Sequence, residues 1–144
     1  LVLYGDVGCG KTHLAIAIGR LACTQGIPTR FFTASSLVMR LRNASAEQRL
    51  DKELAAIGKA ELIIIDELGY LPIDIEGARL LFQIIADSYE KRSLVFTSNL
   101  EFSRWADVFG DGDMAAAVID RIIHHGRIVR FHGESYRNTH SLMK

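Results

Sequence analysis

Residues 5–12 read Gly5-Asp6-Val7-Gly8-Cys9-Gly10-Lys11-Thr12, a complete G-x-x-x-x-G-K-T stretch, and its surroundings decide the fold. A short β-type run, Leu1-Val2-Leu3-Tyr4, precedes it, and Leu14-Ala15-Ile16-Ala17-Ile18 opens a helical segment after it. Strand, glycine-rich turn and helix in that order make the setting of a phosphate-binding loop. Gly5, Gly8 and Gly10 let the backbone turn with its N–H groups inward, where they can wrap α- and β-phosphates. Lys11 brings positive charge to the β- and γ-phosphates, and the Thr12 hydroxyl is a ligand for Mg²⁺. The helix behind the loop aims the positive end of its dipole at the same point. Chance should produce this spacing in fewer than roughly one in a hundred chains of this length. The expected nucleotide contacts are therefore Gly5, Asp6, Val7, Gly8, Cys9, Gly10, Lys11, Thr12 and His13.

Outward from the loop, five apolar β-rich runs alternate with helical patterns: Leu1–Tyr4, Arg30–Thr33, Leu62–Asp66, Ser93–Thr97 and Arg127–Phe131. A helix is expected from about Thr12 to Thr24, stopped by Gly26 and Pro28, and a helical region from Ser36 to Ile57. A third is expected from Ile75 to Lys91 with Asp74 as N-cap, and a shorter one around Met114 to His125. Leu62-Ile63-Ile64-Ile65 is apolar on both faces, as in a buried parallel strand. The alternation predicts an α/β fold, a three-layer sandwich with right-handed crossovers. Ligands in such sheets bind beyond the carboxyl ends of the strands, where the loop sits.

The 144 residues bound the answer to one domain, residues 1–144, with 49% hydrophobic and 24% charged residues. No apolar run reaches the roughly 18 residues that cross a membrane, and no signal peptide is visible, so no membrane partner is expected. Cys9 and Cys23 make no disulfide framework, which points to a reducing cytoplasm. Formal net charge is +0, which excludes a global basic field. Charge is nevertheless uneven: residues 121–144 hold five Lys/Arg against Glu134, and residues 36–59 hold five bases against three acids. The chain opens on Leu1, four residues before the loop and already inside the first strand, so a preceding segment is expected to be missing.

Further groups complete a hydrolytic set. The third strand ends Ile65-Asp66-Glu67, where Asp66 would hold Mg²⁺ opposite Thr12 and Glu67 could polarise an attacking water. The fourth ends Thr97-Ser98-Asn99; inserted between the first and third strands, it would set Asn99 beside Asp66 and Glu67. Arg121 and Arg137 are candidates for the charge that develops on a γ-phosphoryl group. The His124-His125 pair has no metal-ligand spacing with other residues and is expected to be structural or to contact nucleic acid.

Taken together, these residues resemble the AAA+ ATPases of the helicase-loader branch, and within it the IstB-like transposition helpers, relatives of the DnaC loaders. The resemblance rests on Gly10-Lys11-Thr12-His13-Leu14-Ala15, on Ile65-Asp66-Glu67-Leu68-Gly69-Tyr70-Leu71-Pro72, and on the Glu76 to Glu90 helix. Thr97-Ser98-Asn99, the Trp105–Asp111 segment, Asp120-Arg121, His124-His125 and the Gly133–Arg137 ending add to it. It implies a P-loop NTPase sandwich with five parallel strands in the order 5-1-4-3-2. It implies ATP with Mg²⁺ as cofactors and an ATPase that is slow until it oligomerises on DNA. Arg121 matches the finger presented to a neighbouring subunit's nucleotide, and Arg137 the second sensor arginine. Self-association through ATP, sequence-independent DNA contact and a transposase partner follow. A replicative helicase partner, as for a DnaC-like loader, is the alternative. The family's loop often has proline after its first glycine; here Asp6-Val7 stands there, with the cradle positions intact.

Two other classes compete. A small-molecule phosphotransferase shares the loop but needs an acceptor pocket and an arginine-rich lid, and it leaves Asn99 and Arg121 without a task. A truncated fragment would fold without assembling. For DNA contact the candidates lie between the second and third strands: Arg40, Arg42 and Arg49.

Overall fold

The computed structural model describes residues 1–143. The phosphate-loop strand is β1 (Val2–Gly5), followed by α1 (Lys11–Thr24) and β2 (Thr29–Thr33). Next come α2 (Ala34–Ala46), α3 (Leu50–Ile57), β3 (Leu62–Leu68), α4 (Ile75–Ser88) and β4 (Ser93–Ser98). A single 3₁₀ turn at Phe102–Arg104 leads into α5 (Trp105–Phe109), α6 (Gly112–His125), β5 (Ile128–Phe131) and α7 (Tyr136–Thr139).

All strand pairs are parallel, and the order β2-β3-β4-β1-β5 is the expected 5-1-4-3-2 read from the other edge. Alternation along the strands divides the core in two. Val2, Ile63 and Ile65 face the side packed by α2, α4, α5 and α6. Leu3, Leu62, Ile64 and Val95 face α1, which meets them with Ala15 and Ala22. β3 and β4 lie inside the sheet and are covered on both sides, which is why Leu62–Ile65 and Leu94–Phe96 carry no polar alternation.

Helix boundaries depart from the sequence expectation for identifiable reasons. The helical region expected from Ser36 to Ile57 holds two helices, because Gln48 adopts a left-handed φ of 56° and turns the chain. That turn brings Glu53, only 8% exposed, between Arg40 and Arg49. α4 stops at Ser88 rather than Lys91, since Tyr89 is extended and Glu90 takes a φ of 57°. Its N-cap is Asp74 as expected, accepting the Gly77 N–H at 2.9 Å. α6 begins at Gly112, two residues early, because the Asp111 carboxylate caps the N–H groups of Asp113 and Met114. α5 was not expected; it is anchored by Trp105, fully buried, with its ring edge-on to Phe96 at 5.5 Å.

Candidate nucleotide site

Beyond the carboxyl ends of β1, β3 and β4 opens a cleft of about 680 Å³, lined by residues that include Gly8, Lys11, Thr12, His13, Glu67, Tyr70 and Arg137. The loop between β1 and α1 turns through three glycines with positive φ. At two of them a side chain has no room. A Cβ on Gly5 would stand 1.9 Å from the Phe131 carbonyl oxygen, and one on Gly8 would stand 2.0 Å from Ser135 Oγ. Gly10 forms the left-handed N-cap of α1 without a side-chain cap bond, and no acidic residue stands in the first turn. The leading N–H groups of α1 are thus directed at the cleft, as an anion-binding helix end requires.

Lys11 is 5% exposed, and its ammonium donates to the carbonyls of Gly5 at 2.9 Å and Asp6 at 2.6 Å. Burial pushes its pKa down; Cys9 and Asp6 oppose that, and Arg137 adds to it. The ammonium therefore sits among acceptors at the base of the loop.

At the next strand the geometry turns on a bulge. Ile65 pairs with Phe96 and Leu68 with Ser98, so Asp66 and Glu67 together oppose the single residue Thr97. The bulge buries Asp66 at 4% exposure while Glu67, with φ 61°, turns out toward the cleft. Thr97 Oγ1 accepts the Glu67 N–H at 2.9 Å and donates to Asp66 Oδ1. Thr12 Oγ1 also donates to Asp66 Oδ1, at 2.9 Å. A hydroxyl and a carboxylate side by side are hard oxygen donors, which fits Mg²⁺ as it is usually held, by few protein groups with water and phosphate completing the shell. Tyr70 lies close by, its phenol raised by burial and by the Glu67 and Asp66 carboxylates.

The segment after β5 folds over the loop. Asp6 N donates to the Phe131 carbonyl at 3.0 Å, and the Tyr136 N–H donates to Gly8 O at 3.1 Å. The Asp6 carboxylate accepts from Gly133 N at 3.2 Å and lies 2.8 Å from His132 Nδ1. Those contacts hold its pKa down, the Gly133 N–H foremost. This arm carries Arg137 into the cleft.

The structure thus gathers Gly8, Lys11, Thr12, His13, Asp66, Glu67 and Arg137. Asn99 follows β4 next to the bulge, exposed and outside the cleft's lining. Arg121 is elsewhere. It lines a groove at the amino ends of the strands with Leu1, Leu62 and Ser93, a strand length from the loop, about 17 Å for six residues. There its guanidinium donates to Ala117 O at 2.9 Å and lies over the rings of Phe82 and Tyr89, at 5.6 Å and 5.9 Å. Arg40, Arg42 and Arg49 are not a free basic face: Arg40 pairs with Glu53, Arg42 with Asp74, and Arg49 with Glu47 and Glu53. The end of α2 (Glu47), α3 (Glu53) and the N-cap of α4 (Asp74) supply these acids.

Sequence reasoning missed Thr97 as the group joining Asp66 to Glu67, and missed the clasp of Ser135 and Tyr136 on Gly8. A polar residue closing an apolar strand, next to an acidic strand tip, was the available signal for Thr97. For the arm only the serine and aromatic beside Arg137 hinted at it.

Fold and cleft together define an ATP-binding domain of the P-loop, AAA+ type. Residues 1–143 match the IstB-like ATP binding proteins, and the chain belongs to that family. It is 45% identical over 137 residues to a protein of insertion sequence IS5376 from Geobacillus stearothermophilus that is named for ATP binding. The match covers 95% of this chain and 55% of that protein. A counterpart from insertion sequence IS21 of Pseudomonas aeruginosa is 42% identical over 137 residues, covering 95% and 52%. The chain therefore spans about half the length of the curated relatives it matches. Among solved structures, the DnaC helicase loader is similar with a TM-score of 0.75 and 26% identity, covering 92% of this chain and 77% of that one. AMPPCP-bound DnaA from Aquifex aeolicus shares the fold, with a TM-score of 0.78 at 17% identity over 95% of this chain and 42% of that one.

Proposed function

We propose that the chain is the ATP-hydrolysing core, one domain over residues 1–144, of a cytoplasmic DNA-transposition helper that assembles on DNA and remodels target DNA for a transposase. The observation that carries this reading is the split of the reacting groups: Lys11, Thr12, Asp66, Glu67 and Arg137 at one end of the sheet, Arg121 at the other. A cleft without its own arginine finger is completed by a neighbouring copy, so hydrolysis depends on assembly. The insertion-sequence origin of the relatives supports the transposition setting.

In this reading the loop N–H groups and Lys11 hold the phosphates. Thr12 and Asp66 would hold Mg²⁺, which would neutralise charge on the phosphate oxygens. Glu67 orients and deprotonates the attacking water, and Arg137 contacts the bound nucleotide from the arm; Asn99, outside the cleft's lining, must turn in from the end of β4 to position that water. Arg121 of a neighbouring copy meets the charge of the transition state, an effect of about 10³–10⁵ in rate. Contact with DNA is through phosphates. For Arg40, Arg42 and Arg49 to take part, phosphate must replace the carboxylates they now face.

The test is ATP turnover with and without double-stranded DNA for the parent chain, Lys11→Ala, Glu67→Gln and Arg121→Ala. DNA-stimulated turnover lost in all three, with ATP binding kept in Glu67→Gln and Arg121→Ala, is the expected result. Turnover unaffected by Arg121→Ala would overturn the shared site. The likeness to the DnaC helicase loader supports a second partner, a replicative helicase. Pull-down of a transposase against a helicase separates the two.

A further inference from the structure

Away from the cleft, the ends of α4 and α6 bring together three metal-ligating side chains that hydrolysis does not use. Glu90, His124 and His125 are exposed, and one potential ligand atom from each lies within 4.8 Å of the others. The sequence separates Glu90 from the histidines by more than thirty residues, so spacing alone could not reveal the set. Two features of the backbone create it. Glu90 takes a left-handed φ of 57° just after α4 and turns its carboxylate to α6. The two histidines close the last turn of α6, where the helix dipole is negative and favours a cation.

The geometry points to a divalent transition-metal site, of the class that takes Zn²⁺, formed by Glu90, His124 and His125 with water completing the shell. Two imidazoles and a carboxylate are a borderline donor set that suits Zn²⁺ over Mg²⁺. His125 Nε2 and Glu90 Oε1 are 3.0 Å apart, close to the roughly 3.3 Å between neighbouring ligands around a tetrahedral zinc. An ion there would take the place of the contact between these two groups. His124 Nδ1 lies 2.6 Å from the Tyr89 hydroxyl, a partner placed for the outer contact that ligating histidines use. When that oxygen accepts from Nδ1–H, the Nε2 lone pair is left for the ion. The imidazole ring centroids lie 4.0 Å apart, so both rings occupy the same end of α6. Binding would pin the end of α4 to the end of α6, the helix that carries Arg121 one turn earlier.

The experiment is a Zn²⁺ titration of untagged protein in a Cys9→Ser, Cys23→Ser background, which removes the only thiols. Bound metal and the thermal midpoint are read for the parent and for Glu90→Gln, His124→Asn and His125→Asn. One ion per chain, a raised midpoint, and affinity lowered more than about tenfold by each substitution is the expected result. All three side chains are exposed, and circular dichroism without metal confirms that the variants fold. No saturable uptake, or uptake unaltered by the three substitutions, would overturn the site.

Discussion

Thr97 stands alone opposite Asp66 and Glu67, and its hydroxyl accepts the Glu67 N–H at 2.9 Å while donating to the Asp66 carboxylate. One side chain therefore fixes both acidic residues in the bulge. Thr97→Val keeps the shape and removes the hydroxyl, leaving the Glu67 amide without its partner and Asp66 short of a donor. Turnover should fall more than about tenfold and stability by about 1–3 kcal/mol, with ATP affinity nearly unchanged. Thr97→Ser should restore most of the loss. Steady-state kinetics beside nucleotide titration separates these effects.

Glu67 holds a φ of 61°, a region that costs a residue with a side chain on the order of 1 kcal/mol. Glu67→Gly should therefore raise unfolding stability by about 1 kcal/mol while abolishing hydrolysis. Denaturant melts and ATPase assays on the same protein check it; a less stable variant would show that the bulge, not the side chain, sets the backbone.

Much of this site was legible before the fold was known. The loop from Gly5 to Thr12 and the Ile65-Asp66-Glu67 strand tip carry their chemistry in adjacent residues, and local sequence shows such groups directly. The apolar run at Leu62–Ile65 likewise marked a buried strand. Contacts made across the chain were not legible. Thr97 meets Asp66 only because β3 and β4 are neighbours with a register shift, and Glu90 meets His125 only because α4 ends early. Arg40, Arg42 and Arg49 looked like a basic surface because their acidic partners come from the turn at Gln48 and from the start of α4.

The arm that carries Arg137 is packed on Gly8 too tightly for any side chain there. Gly8→Ala places a Cβ 2.0 Å from Ser135 Oγ, at a φ of 79°. ATP affinity should drop more than tenfold through the distorted loop, and the arm should loosen. Hydrogen exchange over residues 132–139 reads the second effect; unchanged protection would show that the arm does not depend on the loop.

Glu53 links stability to pH. The Arg40 hydrogen bond, with Arg49 adding to it, holds its carboxyl below the ordinary value of 4.5. A depressed carboxyl stabilises the fold above its unfolded pKa, and that contribution is lost as pH falls through the folded one. Parent protein should therefore lose stability progressively below about pH 4.5, and Glu53→Gln should be less stable at pH 7 with a shallower acid limb. Melting curves from pH 7 to pH 3 test the slope.

The central claim is that each cleft is finished by the Arg121 of another copy. Lys11→Ala cannot hold ATP but still presents Arg121; Arg121→Ala holds ATP but presents no finger. Mixing the two inactive variants with DNA and assaying ATP hydrolysis tests the claim most directly. Turnover recovered in the mixture, reaching a sizeable fraction of the parent rate, is the predicted result. A mixture as inactive as its components, while parent protein turns over and both variants still bind DNA, would contradict it.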